Sequence, residues 1–144
     1  MAPESMVHAL ETIWELLEPD GRLLDIHPSG IPPQIILRID SENHLLGNLQ
    51  ESDDFIEYSQ ASEAIQASIQ RGLFQLEGPS QFDFVVHADT VPALVDFLKN
   101  EWKDAILAPE IIAQADTLWQ QSGAEKEIMV SELDWMTLLR PERK

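Results

Sequence analysis

The stretch Ile13 to Pro28, IWELLEPDGRLLDIHP, limits the possible folds more than any other part of this chain. It runs from a helix end through a sharp stop into a buried strand. Trp14, Leu16 and Leu17 finish an amphipathic helix. Pro19 cannot continue the hydrogen-bond ladder, and Gly21 offers the left-handed backbone that commonly follows a helix. Arg22 to His27 then reads as a short strand in which Leu23, Leu24 and Ile26 are apolar. A strand apolar on both faces suits a parallel sheet covered by helices, so the expectation is an α/β fold laid around it.

The helix in front begins near Ser5, whose hydroxyl can cap it. Met6, Leu10, Ile13, Trp14 and Leu17 form one apolar stripe along it, which needs a partner surface. After the strand, Pro28, Gly30, Pro32 and Pro33 make a stiff loop. Gln34 to Ile39 and His44 to Leu49 are apolar runs on either side of Asp40-Ser41-Glu42-Asn43, a pattern that predicts a β-hairpin. Ser52 and Asp53 are caps for a helix from Asp54 to Arg71. Along it Phe55, Tyr58, Ala61 or Ser62, Ile65 and Ile69 keep helical spacing, and Gly72 ends it.

Leu73 to Glu77 and Phe82 to His87 read as two strands separated by a Gly78-Pro79-Ser80 turn. Asp89 or Thr90 caps the next helix, and Pro109 opens another that Gly123 stops. Glu127 to Trp135 is the last strand, and Arg140 to Lys144 reads as a frayed tail. With no repeat, linker or low-complexity tract, residues 1–144 are expected to form a single domain.

Charge narrows the partners. The formal balance is −17, from 26 Asp and Glu against nine Lys and Arg. Nucleic acid and anionic membranes both attract basic patches, so neither is expected as a partner. The chain has no cysteine, which removes disulfides, thiolate nucleophiles and sulfur-ligated metals. Its first residues carry Glu4, Glu11 and Glu15 rather than a basic, cleavable leader, and no apolar run approaches the ~20 residues of a membrane span. These features predict a cytoplasmic chain.

Leu17-Glu18-Pro19-Asp20-Gly21-Arg22, between an apolar helix and an apolar strand, resembles the L-x-P-G-G element of Rossmann-like S-adenosylmethionine-dependent methyltransferases. In that family the element precedes the fifth strand. Asp20 stands where the first glycine of the pair is usual. Arg71-Gly72-Leu73-Phe74 is similar to the junction before the family's sixth strand, and Glu127 to Trp135 sits where its antiparallel seventh strand falls. The resemblance covers the C-terminal half of the family's domain. It implies a partial Rossmann-like, mixed but largely parallel sheet with helices packed on it and an inserted hairpin.

The cofactor half is missing from this pattern. A nucleotide-binding turn needs glycines one or two positions apart, and Gly21, Gly30, Gly47, Gly72, Gly78 and Gly123 are all farther apart than that. The expectation is therefore that no cofactor is bound alone, with S-adenosylmethionine held only if a partner chain supplies the site. The strand Arg22 to His27 would have an open edge, to be covered by a second copy, a separate N-terminal partner or the hairpin.

His27 and Asp25 lie at the C-terminal end of that strand, where open α/β sheets bind ligands, and are the substrate-lining candidates. The competing reading leaves His27 as a strand end bonded to a loop carbonyl. His8, His27, His44 and His87 lack metal-ligand spacing, and the acidic run Glu51, Asp53, Asp54, Glu57 lacks a calcium-loop pattern, so no metal is expected. Phe82, Phe84, Trp102, Trp119 and Trp135 are read as core rather than as a pocket lining. Two functions remain open. One is the substrate side of a methyltransferase-like protein, with His27 orienting or deprotonating the acceptor. The other is a non-catalytic, homodimeric interaction module on the same scaffold.

Overall fold

The computed structural model describes residues 3–51, 54–102, 104–121 and 125–143. The elements run α1 (Pro3–Leu16), β1 (Leu23–Pro28), β2 (Gln34–Ile39), β3 (Glu42–Asn48), β4 (Gln50–Glu51), α2 (Asp54–Gln70), β5 (Phe74–Ala88), α3 (Val91–Glu101), β6 (Ala105–Ile106), α4 (Pro109–Trp119) and β7 (Lys126–Pro141). The chain is thus α/β, but its strands pair antiparallel, which corrects the expectation of a largely parallel sheet. Contacts divide it into two compact units, to both of which β5 and β7 contribute.

Unit 1 holds residues 1–30, 53–82 and 133–144. Here β1 pairs antiparallel with β7, from Leu23 opposite Leu139 to Pro28 opposite Asp134. Strand β5 also pairs with β7. Leu73 O accepts from Glu142 N at 2.8 Å, and the Ser80 hydroxyl reaches Met136 O at 3.4 Å, so residue numbers fall along one strand as they rise along the other. β5 is therefore antiparallel to β7 as well, and the local order is β1–β7–β5. Val7, Leu10, Ala64, Phe74 and Leu139 form the core, with Met6, Ile13, Trp14 and Leu17 of the first stripe packed against it.

Several readings in this unit change. Helix α1 starts at Pro3, so Ser5 lies inside it rather than capping it, and Gly21 does not take positive φ. The last carbonyls of α1 find another donor. Arg143 donates to Leu17 O at 2.7 Å and to Trp14 O, while its guanidinium lies 4.1 Å from the centroid of the Trp14 ring. The indole N–H of Trp14 in turn donates to Glu142 O at 3.2 Å. Glu142 and Arg143, read as part of a frayed tail, are therefore docked: a helix C-terminus lacks donors, and an arginine supplies them.

Strand β5 is also continuous through Gly78-Pro79-Ser80, where a turn was expected. Gly78 does not take positive φ, and Pro79 lies in a strand that, among the described residues, pairs with β7 alone. A missing N–H is tolerated in an edge strand. Gly72 does behave as read: it has φ +75 after α2, and Leu73 N closes back onto Ser68 O at 3.1 Å.

Unit 2 holds residues 31–52 and 83–132. The hairpin β2–β3 forms, with Asp40 (φ 48) and Ser41 (φ 72) as a two-residue left-handed turn. It does not cover β1 as one expectation had it, because β2 pairs instead with residues 126–131 of β7. Gly47 lets α4 approach closely, since a Cβ there would stand 2.8 Å from Ile111 Cδ1. Thr90 caps α3 by accepting from Ala93 N at 3.1 Å, and proline opens both α3 and α4. Ile35, Leu37, Leu49, Leu94, Ile128 and Val130 are at the centre of this core. The expected Ser52 and Asp53 caps and the Gly123 stop lie outside the described residues. Among those described, no helix is long and apolar enough to cross a membrane.

Candidate functional site

Both faces of the unit 1 sheet follow from the β1–β7 register, because strand side chains alternate. On one face lie Leu23 opposite Leu139, then Asp25 opposite Thr137, then His27 opposite Trp135. This face is covered by helix, since Leu23 packs against the core that α1 and α2 line, and α2 reaches His27. On the other face lie Leu24 opposite Leu138 and Ile26 opposite Met136, and it is open. Leu24 is 52% exposed and Ile26 51%.

The helix-covered face changes character along its length. It is dry at Leu23 and Leu139 and becomes polar at Asp25, Thr137 and His27. Asp25 and His27 are two apart on one strand and therefore neighbours, with His27 Nδ1 2.5 Å from Asp25 Oδ2. The other ring nitrogen, Nε2, lies 2.9 Å from Ser62 Oγ, contributed by α2. The histidine side chain is 12% exposed and that of Asp25 24%, so water reaches the pair but does not bathe it.

An ionised carboxylate only accepts hydrogen bonds. Nδ1 must therefore carry the proton, and in the neutral ring Nε2 is left as the acceptor for the Ser62 O–H. The three side chains form one line of hydrogen bonds: Ser62 to His27 to Asp25. Beside it is a cavity of about 160 Å³, lined by Ile65, Ile69, Leu76, Pro79 and Trp135, with Gln66 and Thr137 as its other polar members. Trp135 thus lines a cavity rather than a closed core, and Phe84 is 50% exposed, which corrects the reading of both as core.

The remaining candidates do not assemble. His8 stands 3.8 Å from Glu11 on α1, and His87 is 3.2 Å from Glu127 in unit 2. Glu51 accepts from the Trp102 indole at 3.1 Å. Among the described residues no three His, Asp or Glu side chains gather as a metal-ligand set. A polar hollow in unit 2, lined by Arg38, Ser41, Asp89, Glu125, Lys126 and Glu127, is occupied with its own charges: Arg38 pairs with Glu127 at 2.9 Å.

Of the trio, Asp25 and His27 were legible as a pair at a strand end. Ser62 was legible only as a possible member of a helical stripe. Nothing in its neighbourhood marks it, since its partner lies 35 residues away and no local motif encodes that distance. No family model, curated protein or solved structure matches this chain.

Proposed function

We propose that this protein is an interaction module whose unit 1 sheet takes up an extended, basic-and-apolar segment of another polypeptide along β1. The observation that carries the reading is the open block of Leu24, Ile26 and Met136, with Leu138 half-buried beside them. These are two directly opposed cross-strand pairs on the face away from the helices. Contiguous exposed apolar surface rimmed by polar groups is typical of an interaction site. Here the rim includes Arg22, Glu77 and Arg140, with Arg22 Nε 3.0 Å from Glu77 Oε2.

Charge selects the occupant. At a formal −17 the chain as a whole repels a second copy and attracts a basic segment. Strand addition also suits the edge of β1, whose one recorded strand partner among the described residues is β7.

Fluorescence anisotropy tests this with a short labelled peptide alternating valine and lysine, against a peptide of the same composition in two blocks. The alternating peptide should bind more tightly, weaken with salt, and lose at least tenfold in affinity to Ile26→Asp. Equal binding of the two peptides, or indifference to Ile26→Asp, would overturn the proposal. So would a stable homodimer by light scattering whose contact is abolished by the same substitution.

A second reading keeps the methyltransferase-like scaffold, with this chain as its substrate side and a partner supplying the S-adenosylmethionine site. What favours it is that β7, which the resemblance aligns with the family's antiparallel seventh strand, runs antiparallel to β1, which it aligns with the fifth. Calorimetric titration of S-adenosylmethionine into the chain alone should give no heat. Micromolar binding would refute the dependence on a partner.

A further inference from the structure

We infer that Ser62 is a nucleophile for small activated esters, with His27 as its base and Asp25 as the positioning residue. The site lies on the helix-covered face of the unit 1 sheet and is independent of the open block. Two distances carry the inference: Nε2 to Ser62 Oγ at 2.9 Å and Nδ1 to Asp25 Oδ2 at 2.5 Å. A serine hydroxyl is weak until a base takes its proton as it attacks, and a base is effective when a third group fixes its tautomer. Both requirements are met, by groups from two elements rather than one.

The step balances without a cofactor. Ser62 Oγ bonds to the ester carbonyl carbon as its proton passes to His27 Nε2. The C–O bond to the alcohol breaks, and His27 returns that proton to the leaving oxygen. Water then attacks the acyl-serine, giving its proton to the same nitrogen, and the acid leaves as Ser62 is reprotonated. The Asp25 carboxylate stays ionised throughout and balances the transient imidazolium.

The substrate class follows from the cavity. Its volume of about 160 Å³ equals roughly five waters at liquid density. Ile65, Ile69 and Leu76 make it apolar, so it takes a short acyl chain. Stabilisation of the oxyanion is the weaker part. Ser62 sits within α2, where backbone N–H groups serve the helix ladder, so the donors must come from cavity-lining side chains, of which Gln66, Thr137 and Trp135 carry an N–H or O–H. Activated esters should therefore acylate the protein readily, and unactivated ones hardly at all.

Mixing the full chain with p-nitrophenyl butyrate should release a burst of p-nitrophenolate approaching one equivalent, with the acyl mass mapping to the Ser62 peptide. Ser62→Ala should abolish the adduct. His27→Gln should slow acylation by a hundredfold or more, with Asp25→Asn intermediate and all three variants keeping the wild-type circular dichroism. Ser62 is exposed, so its truncation leaves the fold intact and the test valid. Absence of an adduct, an adduct on another residue, or unchanged acylation in a folded His27→Gln would overturn the inference.

Discussion

Truncating Leu139 and Leu24, one at a time, tests the strand register on which both the cavity and the open block depend. Leu139 is fully buried in the unit 1 core, and Leu24 sits on the strand opposite it, one residue out of phase and 52% exposed. Leu139→Ala leaves a cavity in packed surroundings, and such changes cost about 3–5 kcal/mol. Leu24→Ala removes a side chain already half in water. Full burial of a leucine is worth roughly 1.5–3 kcal/mol, so half of that, about 1 kcal/mol, is at stake, and solvent fills the space. The difference should be at least ~2 kcal/mol, or several degrees in Tm for a chain of this size. Urea unfolding followed by tryptophan fluorescence measures both, with an unchanged m-value as the check on comparability. A one-residue slip would exchange the two faces and reverse the order of cost. Equal losses, or a larger loss from Leu24→Ala, would refute the assignment of faces and with it the placement of His27 toward α2.

Two further outcomes bear on the turns and the tail. Arg143→Ala removes the donor to Leu17 O and Trp14 O and the stacking on the Trp14 ring, and should cost about 1–2 kcal/mol with faster hydrogen exchange at the end of α1; a melt unchanged within error, with α1 exchange also unchanged, would mean the tail is not docked. Ser41→Gly relieves a non-glycine residue at φ 72 and should raise stability by roughly 0.5–1 kcal/mol in a thermal melt, whereas a loss would contradict the left-handed turn.

Legibility divides by range. Thr90 and Pro109 marked helix starts correctly, and Gly72 a helix end, because each acts on backbone groups within a turn of itself. The hairpin was legible for the same reason, although its turn is the two residues Asp40-Ser41 and not the four from Asp40 to Asn43. Gly78-Pro79-Ser80 was misread because a proline is excluded only from strands paired on both sides, and one residue cannot report its strand's neighbours. Arg143 was misread because the carbonyls it serves belong to α1, more than a hundred residues earlier.

By itself the sequence determined where α3 and α4 begin and α2 ends, which apolar stripes need burial, and that sulfur chemistry is absent. It also placed Asp25 and His27 on one side of one strand, since a strand's period is two. Tertiary structure alone decided that β1 runs antiparallel to β7, that Leu24 and Ile26 face outward, and that a serine from α2 meets the histidine. The physical reason is that backbone sterics and capping act over a few residues, whereas strand direction and side-chain encounters depend on which surfaces exclude water together. That choice is made by the whole chain at once.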